Sequence, residues 1–177
     1  MTLNRILFGA LCVLAFSSVF AHAQTTKITT EYLMTLYAPL DAPQQIDSSL
    51  SIFNVRTGGW VKGPKINGTL IAPAADWLRV MPGGSLRLDV RGTLRTDDGA
   101  LVYITYNGII SHSKESYDRL MKGEVLTSKD HYFIISPTMQ TSSEKYAWLN
   151  HVQCVGKVVE VKVGENSFVK YDIYIVR

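Results

Sequence analysis

Between Leu86 and Asn107 the side chains change character residue by residue, and that alternation admits few folds. Leu86, Leu88, Val90 and Leu94 share one parity, while Arg87, Asp89, Arg91, Thr93 and Arg95 share the other. Successive strand residues point to opposite faces, so this segment is a ribbon with one aliphatic and one polar face. The returning segment alternates too, with Val102, Ile104 and Tyr106 against Tyr103, Thr105 and Asn107. A two-residue turn at Asp98-Gly99 would set Arg91 beside Tyr106 and mix the faces. A three-residue loop of Asp97, Asp98 and Gly99, with Gly99 left-handed, pairs Leu94 with Val102 and Arg91 with Thr105. The faces then match, and this register is the expected one.

The rest of the chain is punctuated in the same way. Turn signals recur at Thr57-Gly58-Gly59, Lys62-Gly63-Pro64, Pro82-Gly83-Gly84 and Gly164-Glu165-Asn166, and no repeat, low-complexity tract or linker interrupts residues 27–177. Between the turns lie Leu50–Arg56, Ile66–Ile71, Trp77–Met81, Ser85–Thr96, Ala100–Ser111, His131–Gln140, Ala147–Val163 and Ser167–Arg177. Most are rich in β-branched and aromatic residues, which favour strands. One helix is predicted: Ser113 caps Lys114–Lys122, Tyr117, Leu120 and Met121 share a face, and Gly123 follows as a stop. Only about two turns long, it packs on the rim of a sheet rather than on a membrane or a partner helix. The expected fold is all-β, a single antiparallel barrel with one short helix.

Ahead of this domain stands a three-zone N-terminus: Arg5, an uncharged apolar run from Ile6 to Phe20, then Ala21-His22-Ala23. That order is the pattern of a secretory signal peptide. The apolar run of 15 residues is shorter than the roughly 20 that span a bilayer. Cys12 lies inside the run and not at the cut, which excludes lipoprotein processing. Residues 1–23 are therefore read as a signal peptide and 24–177 as the barrel domain, periplasmic or secreted, with no membrane insertion after cleavage. Cleavage removes Arg5 from the 18 basic residues, leaving 17 against 15 acidic ones. A near-neutral chain whose charge signs alternate, as in Arg87-Leu88-Asp89-Val90-Arg91, has no basic stripe for nucleic acid. Cys154 stays behind alone, so stability must come from packing rather than from an intramolecular disulfide.

Several chemistries are excluded by what the motifs lack. His112, His131 and His151 have no metal-ligand spacing, so no metal is expected. No Gly-x-Ser-x-Gly elbow, Gly-x-Gly-x-x-Gly turn or phosphate loop occurs, so neither serine acyl transfer nor a nucleotide cofactor is expected.

The run GGWVKGPKINGTLIAPAADWLRVMPGGSLRLDVRGTLRTDDGALVYITYNG and the later run HYFIISPTMQTSSEKYAWLNHVQCVGKVVE resemble the two signature blocks of the domain of unknown function 3237 family, also called UPF0311. Together they cover most of the mature chain. The resemblance implies an antiparallel barrel of lipocalin-like shape. It brings no shared cofactor and no general activity, although some fungal relatives are associated with cofactor-free cyclisation of natural products. The chain departs from the family pattern at Ala74, at Met139 and in an elongated stretch from Ser113 to Thr127.

Two constellations stand out as candidate sites. Asp89 and Arg91 share a strand face with Tyr103 and Thr105 across the ladder. If that face lines the barrel, Asp89 is a base and Arg91 or Tyr103 an oxyanion partner; if it points outward, it is a solvated charged face. Trp77, beside Asp76, and Trp148 with Asn150 in Tyr146-Ala147-Trp148-Leu149-Asn150 supply aromatic walls with polar neighbours, suited to an organic ligand. The same tryptophans suit plugs at the barrel ends. The leading function is binding of a small apolar or aromatic organic molecule. The alternatives are a cofactor-free isomerase, cyclase or lyase, and an interaction module with a filled barrel. If residues 1–23 are a signal peptide, protein recovered from the export fraction begins at Gln24 on N-terminal sequencing. Soluble protein still carrying Met1 would refute export.

Overall fold

The structure, a computed structural model, describes residues 26–177. The expected signal peptide and its cleavage point lie outside the described residues.

Eleven strands run in the order β1 (Thr30–Pro39), β2 (Gln44–Gln45), β3 (Leu50–Asn54), β4 (Trp60–Lys62), β5 (Asn67–Val80), β6 (Leu86–Thr96), β7 (Leu101–His112), β8 (Leu126–Thr127), β9 (His131–Gln140), β10 (Cys154–Lys162) and β11 (Phe168–Val176). Helix α1 (Lys114–Met121) follows β7, and a 3-10 helix (Glu144–His151) follows β9. Neighbouring strands pair in the order β5-β4-β1-β11-β10-β9-β7-β6, and β6 pairs back onto β5. All these pairings are antiparallel, so eight strands close into a barrel; β3 and β2 extend from one half of β5, and β8 pairs with β10.

The central hairpin has the expected register, with Arg91 opposite Thr105 and Leu94 opposite Val102. Gly99 closes it at φ +88°, a conformation that L side chains rarely adopt. Its aliphatic face turns inward: Leu88, Val90, Leu94, Val102, Ile104 and Tyr106 join one buried core with Leu36, Phe133, Ile135, Tyr171 and Ile173. Where strands approach most closely the chain uses glycine. A Cβ on Gly156 would lie 2.6 Å from Ile135 Cγ1, and one on Gly108 2.8 Å from Ile135 Cγ2, so Ile135 fills the space both leave.

The two ends of the barrel are finished differently. At the end holding the β6–β7 turn, the 3-10 helix buries Tyr146 and Leu149. There the Asp98 carboxylate accepts from Lys145 Nζ at 2.5 Å, from Thr96 Oγ1 at 2.5 Å and from the Tyr146 hydroxyl at 3.2 Å. Those partners hold the Asp98 pKa down to about 2. At the other end β7 runs into α1, where Ser113 Oγ caps the backbone N–H of Ser116 as the sequence predicts. Ser116 Oγ donates to the Asp130 carbonyl at 2.6 Å and Arg119 Nη1 reaches the Asp130 carboxylate at 2.7 Å. These bonds tie the helix to the rim.

Three expectations about elements need correction. Strand β1 falls before the first segment read as a strand, β5 is one continuous strand where two were read, and Glu144–His151 is helical where a strand was expected from Ala147. The 3-10 helix forms because Tyr146 and Leu149 fall three residues apart, which suits a tight helical turn capping the barrel end.

Candidate functional site

Near α1 the barrel is not filled. A cavity of about 110 Å³ opens between Leu88, Val90 and Ile110 on one side and Phe133, Val161 and Val169 on another, with Leu120 of α1 at its edge. Among the described residues its ionisable and hydrogen-bonding walls are Asp76, Tyr106, Tyr171, His112 and His131. Such a space is on the scale of one small ring, since an apolar cavity of about 150 Å³ takes up benzene.

Asp76 enters this space because strand parity puts it inside. Asp76 and Leu78 line the cavity, while Trp77 between them lines a groove on the outer surface. Oδ1 of Asp76 accepts the backbone N–H of Asp89 across the β5–β6 ladder at 3.1 Å. Burial among apolar walls pushes its pKa up to about 7, against that hydrogen bond and with a smaller push from the Asp89 charge. Near neutral pH it therefore exchanges its proton readily.

Two tyrosines stand close to it. Tyr106 and Tyr171 meet edge to face with ring centroids 5.9 Å apart, and Tyr171 meets Phe133 in the same way at 5.3 Å. Burial first, and then the nearby Asp76 charge, raises the pKa of both tyrosines above the usual phenol range, while the hydrogen bond from Tyr171 works in the opposite direction on Tyr106. They stay neutral and can donate hydrogen bonds to an oxygen in the cavity. A proton-exchanging carboxyl beside neutral hydroxyls among mostly apolar walls is suited to general acid–base work.

The residues singled out from the sequence lie elsewhere. Asp89 and Arg91 face outward and form a surface ion pair at 3.3 Å, with 43% and 52% of their side chains exposed. They sit on the polar parity of β6, and it is the aliphatic parity that faces in. Arg91 stacks over the Trp77 ring at 5.5 Å and, with Tyr103, lines the shallow outer groove. Thr105 is also outside the cavity; its hydroxyl donates to the Val90 carbonyl at 3.0 Å. Trp148 and Asn150 belong to the 3-10 helix at the opposite end. There Lys65 lies over the Trp148 ring, and the Asn150 amide clasps both backbone groups of Thr141. The structure thus brings Trp77, Arg91 and Tyr103 together on the outside and separates them from Trp148 and Asn150.

A closed eight-stranded antiparallel barrel with an apolar cavity beside a half-buried carboxyl defines a structural class. Within it, the chain belongs to the family described as "Protein of unknown function (DUF3237)", whose profile matches residues 28–176. A UPF0311 protein of Clostridium acetobutylicum is 37% identical over 95 residues, 53% of this chain and 60% of that one. A UPF0311 protein of Rhodopseudomonas palustris is 30% identical over 135 residues, 75% of this chain and 88% of the relative. The crystal structure of a conserved R. palustris protein of unknown function superposes with a TM-score of 0.76 at 28% identity, covering 86% of this chain and all of that one. A hydroalkoxylation enzyme of Penicillium herquei is 28% identical over 160 residues, 89% of this chain and 91% of the enzyme.

Two outcomes follow from this geometry. A carboxyl whose folded pKa lies above its unfolded one stabilises the fold fully below the unfolded pKa of 3.8, and that stability is lost as pH rises through about 7. His112 and His131, held neutral chiefly by burial, oppose this in part of the same window, so the readout is the difference between variant and parent. Asp76→Asn should match the parent at about pH 4 and exceed it by a few kcal/mol, about 4 at the limit, by pH 8 in chemical denaturation. A constant difference across that range would contradict a raised Asp76. Arg91→Ala, in contrast, should change unfolding free energy by no more than about 1 kcal/mol, as an exposed pair does; a loss several times larger would put Asp89 in a buried setting.

Proposed function

We propose that the barrel binds a small, mostly apolar organic molecule in its cavity and that Asp76 moves a proton on it without a cofactor. The observation that carries this reading is the Asp76 carboxyl, set among apolar walls with a pKa pushed up to about 7. A base poised there can take a proton at neutral pH and return it elsewhere on the same substrate. Likeness to the hydroalkoxylation enzyme supports the same direction. Addition of a hydroxyl across an alkene conjugated to a carbonyl is such a transfer: Asp76 takes the O–H proton, the oxygen bonds to the far alkene carbon, the electron pair moves onto the carbonyl oxygen, and the proton is delivered to the alkene carbon beside the carbonyl. The product is an isomer of the substrate, and no oxidant or reductant is needed. Tyr106 and Tyr171 would hydrogen-bond the oxygen while it carries charge. The periplasmic or extracellular setting is part of the proposal and rests on the N-terminal pattern alone.

A second reading, binding without turnover, is supported by how few polar groups line the cavity. The two separate in one assay with 2-hydroxyphenyl vinyl ketone, a one-ring phenol with a conjugated alkene that closes to the isomeric chroman-4-one by this route. Catalysis predicts the cyclic ether, formed at a rate that rises with pH to a plateau above about 7. Asp76→Asn, which keeps the shape, should slow it by about 100-fold or more. Binding with the compound recovered unchanged favours the carrier; equal turnover by Asp76→Asn would remove Asp76 from the chemistry.

A further inference from the structure

At the rim of the same cavity two imidazoles are left without partners. His112 ends β7 and His131 begins β9, directly opposite each other in the ladder, and both line the cavity beneath α1. His131 is only 9% exposed, and neither of its ring nitrogens has a hydrogen-bond partner; Nδ1 of His112 is likewise unpartnered. Buried polar atoms are nearly always paired in folded proteins, so three orphaned nitrogens on two facing rings of one cavity wall call for partners, and a ligand group and water can share them.

The surroundings select the kind of partner. The space beside the two rings is bounded by Ile110, Leu120, Phe133, Val161 and Val163. Rings flank the histidines as well: Tyr117 stacks on His112 at 5.2 Å, and Phe133 lies 5.8 Å from His131. The charged groups nearest this wall neutralise one another outside it, with Arg119 paired to Asp130 and Glu124, and Asp130 also bound by Thr127. No cation among these faces the cavity, so a carboxylate would arrive without a counter-charge. Burial, and for His131 the neighbouring His112, keeps both imidazoles neutral. A neutral imidazole offers one N–H donor and one bare nitrogen acceptor. The smallest uncharged organic group that offers one donor and one acceptor at a single atom is a hydroxyl.

We infer that His112 and His131 form a hydroxyl-binding subsite, so that the molecule held in this barrel is an apolar ring or chain bearing an alcohol or phenol group at its α1 end. This rests on the cavity reading above and adds to it the polar group that a ligand must carry. The hydroxyl accepts from the N–H of one imidazole and donates to the bare nitrogen of the other, and the apolar body lies along Phe133 toward Tyr171.

Phenol and toluene test this, because they match in size and differ in the hydroxyl. Their affinities are measured by ligand-observed NMR on the unmodified protein, on His131→Phe and on Asp76→Asn. The inference expects phenol to bind at least about tenfold tighter than toluene. In His131→Phe that preference falls to about threefold or less while toluene binding holds; in Asp76→Asn the preference persists. On the unmodified protein, phenol and not toluene should shift the ring 15N resonances of His131, a readout that needs no variant to fold. Equal affinity for the two probes would overturn the subsite and leave the cavity reading standing. Preference lost in Asp76→Asn but kept in His131→Phe would move the polar contact to Asp76 and overturn it too. Failure of both probes to bind would overturn the subsite and the cavity reading together.

Discussion

Closure of β5 onto β6 places everything inside this barrel. Along β5 the register shifts between Ile71 and Ala75, so the 14-residue strand pairs with β4 at one end, with β3 at the other, and with β6 along both. Such an irregularity adds local twist, and here it changes each residue's partner while keeping its face. Past the shift Asp76 lies opposite Val90, and one of its carboxyl oxygens accepts from the Asp89 backbone. Without that closure β5 and β6 would present unpaired edges, and the apolar faces of eight strands would have no common interior.

A carboxyl in that interior is destabilising once ionised, and the fold tolerates it through compensations that are easy to name. Asp76 keeps one backbone hydrogen bond, stands near two neutral tyrosines, and opens onto a cavity rather than into close-packed side chains. The remainder of the core is dense, with Leu33, Met34, Leu94, Val102, Ile135, Leu149, Ile173 and Ile175 all fully buried. Polarity is thus concentrated at one end and close packing at the other, which is how a barrel of this size can hold a site and remain stable.

Much of the architecture was legible in the sequence, because alternation in the β6–β7 hairpin is a direct record of which side faces the core. The same record, read for function, misled. Charged side chains on one face look like a site, yet in a barrel of this size the aliphatic parity fills the inside, and Asp89 and Arg91 went to solvent. The groups that did go inside carried weak signals. Asp76 drew notice only as the neighbour of Trp77, although it shares the parity of Leu70, which pairs with the inward Leu94. His112 and His131 are 19 positions apart and meet only because β7 pairs with β9, so no local spacing could join them. Lone polar residues within otherwise apolar parity were the better clue: Asp76 before Leu78, and His112 after Tyr106 and Ile110.

The contacts of Asp98 with Lys145 and Tyr146 also decide how one end of the barrel is closed. They fasten the 3-10 helix across that end, where Leu149 is wholly buried, while α1 sits over the other end on a few side-chain bonds to Asp130. A vessel with a bolted floor fills and empties through its mouth. If a ligand binds as proposed, its residence time is a property of two helical turns at the rim, and changes between Ser113 and Thr127 would alter it without disturbing the wall.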